Sequence, residues 1–492
     1  MPRNARTPES AEGATLLTAC IWAILALTAY RIALLPFATI DLFVDEAQYW
    51  LWGQTLDWGY FSKPPLIGWV IRAFTELGGS DAAFWIRLPG PLLHCATALI
   101  LVRATREIAP ADAAGLVGLA YVSMPIIGIG TVLMSTDTVL LPFFAAALWC
   151  WARLTRAPSL GVAALMGLCL GLGMMAKYAA MYFWMCALIA VVMVPAARIR
   201  WKDAGLAFVV YLLVFSPNVL WNLTHGMTTV SHTGDNIAWI KEDAGITLNL
   251  SGTMDFIGAQ FLAMGPILFA GYLWALVRRG RGWPNAWLVW MSLPVLALVT
   301  VQALLSRAYG NWALAAYPAA LMLAIPALLA VAPRLLWAGL ALNAALVLAL
   351  PVAVTQATGW HIGDNPQPVL RRYTGRANVS NQIIDEARRQ NVTAVMVQGR
   401  EVLADLYHTA RDSDVAIYAI PPDGTAHHYY AQTYPYPRDR QGAFLYVTMG
   451  AGRSPCTTPL RAPVSEWSTG PGAYRSATMQ AYLLDESCWR AP

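Results

Sequence analysis

The chain has 492 residues, of which 57% are hydrophobic and 12% charged, with a formal net charge of +5 and a mean hydropathy of +0.48. Soluble globular proteins carry roughly 25% charged residues, so this chain lacks the charge to cover a water-facing surface of its size. That excludes a soluble enzyme, a disordered chain and a nucleic-acid binder.

In chain order, about eleven runs meet the requirement of a membrane-spanning helix for roughly 20 mostly apolar residues. They cover residues 14–37, 84–101, 113–132, 138–152, 160–176, 179–194, 204–223, 252–277, 283–305, 312–329 and 335–354. The 21 Trp and 20 Tyr suit a chain that meets the membrane–water boundary many times. The first run is longer than a signal-peptide core and has no small-x-small cleavage site, so it is read as an uncleaved anchor.

Basic residues fall in alternate connections: Arg3 and Arg6; Arg103 and Arg106; Arg153 and Arg156; Arg198, Arg200 and Lys202; Arg278, Arg279 and Arg281; Arg334. The bias predicts that these loops are cytoplasmic. The N-terminus is then inside and the C-terminus outside, in a multi-pass membrane protein. From about Gln356 polar residues return. Residues 381–390 and 401–410 read as helices, and 393–398, 415–420 and 443–449 as strands. The expected architecture is a membrane all-α bundle over 1–355 and a small extracytoplasmic α/β domain over 356–492. Interfacial helices are expected in the first outer loop. Cys456 and Cys488 fall in the outer domain, where an oxidising compartment would let them pair. Cys20, Cys95, Cys150, Cys169 and Cys186 sit in the apolar runs as small apolar residues.

Polar residues gather on the outer side. The first outer loop holds Asp45-Glu46-Ala47-Gln48-Tyr49-Trp50 and Gly59-Tyr60-Phe61-Ser62-Lys63-Pro64-Pro65-Leu66. Carboxylates and a lysine among aromatic residues at the membrane boundary cost free energy unless paired or used. A plainer alternative is that Asp45 and Glu46 cap a helix and Lys63 snorkels. Further along come Arg31 within snorkelling reach of the outer surface, Arg87, Ser135-Thr136-Asp137, Lys177-Tyr178, and His225, His232, Asp235, Lys241, Glu242 and Asp243. The last cluster is Ser306-Arg307-Ala308-Tyr309-Gly310-Asn311-Trp312. Ser135 or Asp137 also suits a helix cap, Lys177-Tyr178 a turn, and the histidines ordinary hydrogen bonds before metal ligation.

Cations at headgroup depth suit a lipid phosphate, and a nearby carboxylate suits proton removal from an attacking hydroxyl. Together they describe group transfer from a lipid phosphate, with Lys63, Arg307 and Arg31 as candidate phosphate holders. There is no Walker-type loop, so no nucleoside triphosphate is implied.

The first-loop stretches resemble the signature of the GT-C membrane glycosyltransferases, nearest the bacterial group of the protein mannosyltransferases and the lipid A aminoarabinose transferase. Arg87-Leu88-Pro89, Ser135-Thr136-Asp137-Thr138 and Lys177-Tyr178 follow in that family's order. Ser306-Arg307, Asn311-Trp312 and Tyr317-Pro318 are similar to its late outer-loop motif, with a spacing that departs from the aminoarabinose enzymes. The resemblance covers roughly residues 14–350, and the tail is similar to that of lipopolysaccharide galacturonosyltransferase-like members.

It implies a polyprenyl-phosphate sugar donor used on the outer face of a bacterial inner membrane, inversion at the anomeric carbon, and a lipid A, lipopolysaccharide or other glycolipid acceptor among membrane lipids, with no nucleic acid. By that resemblance Asp45 is the essential carboxylate and Asp137 the second. Glu46 positions Asp45 or contacts the sugar, Lys63 holds the lipid phosphate, and Arg307 and Tyr309 lie near it. Tyr49, Tyr60, Arg87, Lys177, Tyr178, His225, His232 and Asn311 complete the expected substrate-binding set. No cofactor is specified; a divalent cation is left open, and no residue is assigned to a metal. Protein O-glycosyl transfer and transport of a lipid-linked substrate stand as alternatives. A transporter should show broken helices in matched halves, which the sequence does not clearly display. His427, His428 and Tyr429 are candidates for acceptor recruitment by the outer domain.

Overall fold

The computed structural model describes residues 11–235, 248–450, 452–456 and 459–489. Arg3, Arg6, Lys241, Glu242 and Asp243 lie outside the described residues, as does the side chain of Asp235. The helices are α1 (Ala11–Leu34), α2 (Val44–Gln54), α3 (Leu66–Gly78), α4 (Ala83–Arg87), α5 (Pro89–Thr105), α6 (Ala111–Ser123), α7 (Pro125–Gly130), α8 (Thr136–Leu154), α9 (Leu160–Ala176) and α10 (Met181–Met193). There follow α11 (Trp201–Thr224), α12 (Thr228–Asp235), α13 (Leu250–Met264), α14 (Pro266–Arg279), α15 (Asn285–Leu305), α16 (Tyr317–Val331) and α17 (Pro333–Thr355). The C-terminal part reads α18 (Arg376–Arg389), β1 (Ala394–Val397), α19 (Arg400–Thr409), β2 (Ala416–Ala419), α20 (Tyr429–Thr433), β3 (Phe444–Met449), β4 (Ser465–Ser468) and β5 (Thr478–Leu484).

All of the expected apolar runs are helical. Among the described residues, seven helical segments are long and apolar enough to cross a membrane, and Ala111–Ser123, Leu160–Ala176 and Tyr178–Met193 are shorter apolar helices. Two runs differ from a single straight span. Residues 113–132 are interrupted where Pro125, which has no N–H to donate, follows extended Met124. Residues 252–277 form α13 and α14, bent by 108°. The bend is at Gly265, whose φ of +94° is open to glycine and strained for other residues.

The chain divides into two compact units. The first comprises Met1–Leu35, Asp57–Val70 and Arg87–Pro351; the second comprises Pro36–Leu56, Ile71–Ile86 and Val352–Pro492. In the first, α9 lies along α11, and the absence of a side chain at Gly171 lets it approach the α11 backbone: a Cβ there would stand 2.5 Å from Val214 Cβ. Arg31 does not snorkel outward. It is 3% exposed and donates to the Val122 carbonyl at 2.8 Å. That carbonyl sits at the end of α6, where the break before α7 takes away the next turn's donors.

In the second unit a five-stranded sheet has the order β2-β1-β3-β5-β4. β1 is parallel to β2 and β3, while β5 is antiparallel to β3 and β4. The parallel β1–β2 pair needs a crossover, and α19 supplies it. All four β1 residues are buried, which suits a strand covered on both faces. α18 buries Val379, Ile383, Ile384 and Ala387, a spacing that places them on one helical face. Cys456 and Cys488 form a disulfide, with Cα atoms 4.7 Å apart.

Candidate active site

Within the first unit, polar side chains collect where α8 and the 3-10 turn Gly310–Ala316 begin and where α9 and α11 end. Ser135 caps α8, its hydroxyl accepting from Thr138 N at 3.3 Å. Asp137 therefore sits in the first turn, where the helix dipole favours an anion. Lys177 terminates α9 in an extended conformation, at the helix end that favours a cation. Its Nζ donates to both Asp137 carboxylate oxygens at 2.7 and 2.8 Å. Asn311 Nδ2 donates to the same carboxylate at 3.0 Å. The Asp137 and Lys177 side chains are 7% and 15% exposed, so the pair is largely desolvated and compensated by the third group.

A second layer continues from Lys177. The Tyr178 hydroxyl donates to Asn218 Oδ1 at 2.8 Å and accepts from Asn222 Nδ2 at 3.2 Å. Asn218 Nδ2 in turn donates to the Trp58 carbonyl at 2.6 Å, and Thr229 donates to the Tyr60 carbonyl at 2.5 Å. This ties residues 57–70 of the first loop to α11 and α12. Tyr60 is buried, its N–H donates to the Lys63 carbonyl at 3.2 Å, and its hydroxyl accepts from Asp57 N at 3.2 Å. Lys63 is half-buried in this turn. Trp58 of the same stretch, with Pro217, Leu220, Trp221 and Thr224 of α11, lines an apolar groove of about 300 Å³.

Asp45 and Glu46 open α2 in the second unit. Glu46 is 1% exposed and accepts from Phe43 N at 2.9 Å, so it acts as the helix cap that the plainer reading allows. Asp45 instead pairs with Arg400 at the start of α19. Arg400 Nε also donates to Gln48 Oε1 at 2.9 Å, one helical turn beyond Asp45. Burial lowers the pKa of this guanidinium, but the Asp45 carboxylate more than offsets that and holds it above its ordinary value. Tyr49 is buried against Trp52, with ring centroids 5.1 Å apart.

The remaining candidates are more scattered. Arg87 is 1% exposed at the end of α4. Arg307 and Tyr309 are exposed, and Tyr309 lies edge-on to Trp312 at 5.6 Å. His225 is exposed and stacks on Trp221 at 4.2 Å, bonded to its carbonyl at 2.8 Å. His232 packs against Phe61 at 5.3 Å. Among the described residues, no group of three or more His, Cys, Asp or Glu side chains gathers in a way that could hold a metal ion. Asn218, Asn222 and Arg400 were not singled out from the sequence, and Gln48 entered only as a member of the first-loop motif. The asparagines are isolated within an apolar run, and Arg400 lies far along the chain from its partners.

The description of the dolichyl-phosphate-mannose-protein mannosyltransferase family matches residues 62–221. Lipid A galacturonosyltransferase RgtD of Rhizobium johnstonii is 39% identical over 468 residues, covering 94% of this chain and 98% of the relative. Lipopolysaccharide core galacturonosyltransferase RgtA of the same organism is 27% identical over 275 residues, 54% of each chain. Among solved structures, apo ArnT from Cupriavidus metallidurans superposes with a TM-score of 0.66 at 15% identity, over 96% of this chain and 99% of that one, a likeness of fold. The chain therefore belongs to the GT-C membrane glycosyltransferases, in the family of the Rhizobium lipid A galacturonosyltransferase, and is a multi-pass membrane enzyme.

Proposed function

We propose that this enzyme transfers a uronic acid, galacturonic acid, from a polyprenyl-phosphate donor to lipid A or the lipopolysaccharide core on the periplasmic face of the inner membrane. The observation that carries this is the relation to RgtD along almost its entire length. ArnT has also been solved with undecaprenyl phosphate bound and shares the fold, which supports a polyprenyl phosphate as the carrier. The Cys456–Cys488 disulfide supports an oxidising location for the α/β domain. The Lys- and Arg-rich alternate loops support a cytoplasmic N-terminus.

In this reading Asp45 is the essential carboxylate and Lys63 holds the lipid phosphate as charge builds on it. An acceptor oxygen attacks the anomeric carbon from the face opposite the phosphate. The bond between that carbon and the phosphate oxygen breaks, and its electron pair leaves with the lipid phosphate. A hydroxyl acceptor gives its proton to Asp45; a phosphate acceptor is already ionised, and Asp45 then orients the sugar. Asp137 is the second carboxylate, with Lys177 and Asn311 fixing its direction. Asp45→Asn and Lys63→Ala should each lower transfer by about 10²-fold or more while the protein stays folded and inserted. The assay is reconstituted transfer from a polyprenyl-phosphate uronate, with mass analysis of the lipid A product. Full activity in either variant removes the mechanism, and an unchanged acceptor mass with wild-type protein removes the function.

A further inference from the structure

We propose that Arg400, braced by Asp45 and Gln48, is the residue that recognises the carboxylate of the transferred sugar and so selects a uronic acid over a neutral hexose. This rests on the reading above, in which Asp45 works at the anomeric carbon of a lipid-linked sugar.

A uronic acid differs from the matching hexose only in having a carboxylate on C5 in place of a hydroxymethyl group. C5 and the anomeric carbon flank the same ring oxygen, so that carboxylate lies within one ring's width of the reacting centre. A group that reads it must therefore stand close to the residue acting at the anomeric carbon, and a cation makes the strongest such contact. Arg400 meets both conditions: its guanidinium bonds directly to Asp45. Arginine offers five N–H donors in a planar fork that matches a carboxylate. Asp45 and Gln48 engage a terminal nitrogen and Nε, so the fork is held in a fixed plane with donors remaining for a second carboxylate.

As a structural strut the pair would do little. The side chains of Arg400 and Asp45 are 37% and 46% exposed, and exposed ion pairs contribute at most about 1 kcal/mol to stability. The same exposure leaves the pair open to a ligand. A second observation marks this place independently. The Tyr430 hydroxyl, on a residue 0% exposed, has no hydrogen-bond partner among the described residues, although it lies close enough to feel the charges of both Arg400 and Asp45. A buried hydroxyl left without a partner within electrostatic reach of Arg400 suits a polar ligand that supplies the missing bond. The neighbouring His428 does not compete as a second cation. Its ring accepts from Ala431 N at 3.1 Å, and burial and the charge of Arg400 push its pKa below the ordinary value.

The test uses the full-length protein in nanodiscs with two synthetic donors, polyprenyl-phosphate galacturonate and polyprenyl-phosphate galactose. Wild type, Arg400→Gln and Arg400→Lys are compared by donor Kd from tryptophan fluorescence and by kcat/KM for each donor. Wild type should prefer the uronate by about 100-fold or more, since a site built around one polar group rejects the analogue lacking it. Arg400→Gln should lose about 10- to 100-fold more in uronate affinity than in galactose affinity, so that the preference collapses. Arg400→Lys, which keeps the charge but not the fork, should fall between. If Arg400→Gln weakens both donors equally, Arg400 merely positions Asp45, and the inference is overturned. It is overturned as well if the variants keep the wild-type preference. A wild type that takes neither donor, or prefers galactose, sinks the proposed function itself.

Discussion

Lys177 Nζ bonds both carboxylate oxygens of Asp137, at 2.7 and 2.8 Å, across 40 positions of sequence. The two residues occupy opposite kinds of helix end, an N-terminus for the acid and a C-terminus for the base, so each dipole supports its charge. Removing one partner strands the other in a largely desolvated place. Lys177→Met should cost about 3–5 kcal/mol, read as a lower Tm in detergent. The double variant Asp137→Asn with Lys177→Met should recover most of that stability yet stay inactive in transfer. Stability losses that simply add would show that the two groups are uncoupled.

How much of this was legible in the sequence follows from the physics of each feature. Lipid forces every backbone polar group into local bonds, so the spans announce themselves as apolar runs, and α9 was placed from composition alone. The first-loop motif and Asp137 stood out because carboxylates are rare near such runs. Other features depend on partners far along the chain. Arg31 looked free to reach the surface, and only its bond to the Val122 carbonyl shows why it stays buried. β4 was hidden because its four residues are half-exposed or exposed in alternation and pair only with β5. Arg400 carries no local mark of function; its meaning comes from Asp45, 355 residues earlier.

The disulfide makes a separate expectation. Cys456 and Cys488 are 32 positions apart, and closing a loop of that size removes chain entropy worth about 3–4 kcal/mol in the unfolded state. Cys456→Ser with Cys488→Ser should therefore lower the unfolding free energy of the α/β domain by about that amount. Limited proteolysis of the membrane-embedded protein would detect it as faster cleavage after residue 356, with the transmembrane bands unchanged. Equal protease resistance would show that the crosslink contributes nothing to the domain.

Asp405 gives the same domain a pH signature. Burial raises its carboxyl from 3.8 to about 6; Ser380 opposes this, Asp41 reinforces it, and Thr409 and Arg376 oppose it. The Ser380 and Thr409 hydroxyls both donate to its Oδ2, at 2.7 and 2.9 Å. Because the folded pKa lies above the unfolded one, the native state holds more protons between about pH 4 and 6. Stability on this group's account is greatest at low pH and falls as pH rises through that window, by roughly 3 kcal/mol in all. Asp405→Asn keeps an acceptor for both hydroxyls and has nothing to ionise. It should match wild type near pH 4 and exceed it near pH 8 in melting experiments. A difference that does not vary with pH would refute the assignment.

The bend between α13 and α14 concentrates several constraints on Gly265. The break leaves the Met264 carbonyl without a helical donor, and Asn343 of α17, 1% exposed, supplies one from Nδ2 at 2.9 Å. Phe261 and Phe269 close the corner edge to face, 4.8 Å apart. A Cβ on Gly265 would fall on the Asn343 side chain and would also force a side-chain-bearing residue into φ +94°. Gly265→Ala should cost about 1–3 kcal/mol from backbone strain and a further ~1–3 kcal/mol from the displaced cap. Asn343→Ala alone should cost only the second amount. It also opens room for the new methyl group, so the double variant should be less destabilised than the sum of the singles. Thermal unfolding of the four proteins in one detergent checks this. A double variant that loses the full sum would mean that Asn343 and Gly265 act independently and that the new methyl group does not compete with the Asn343 side chain.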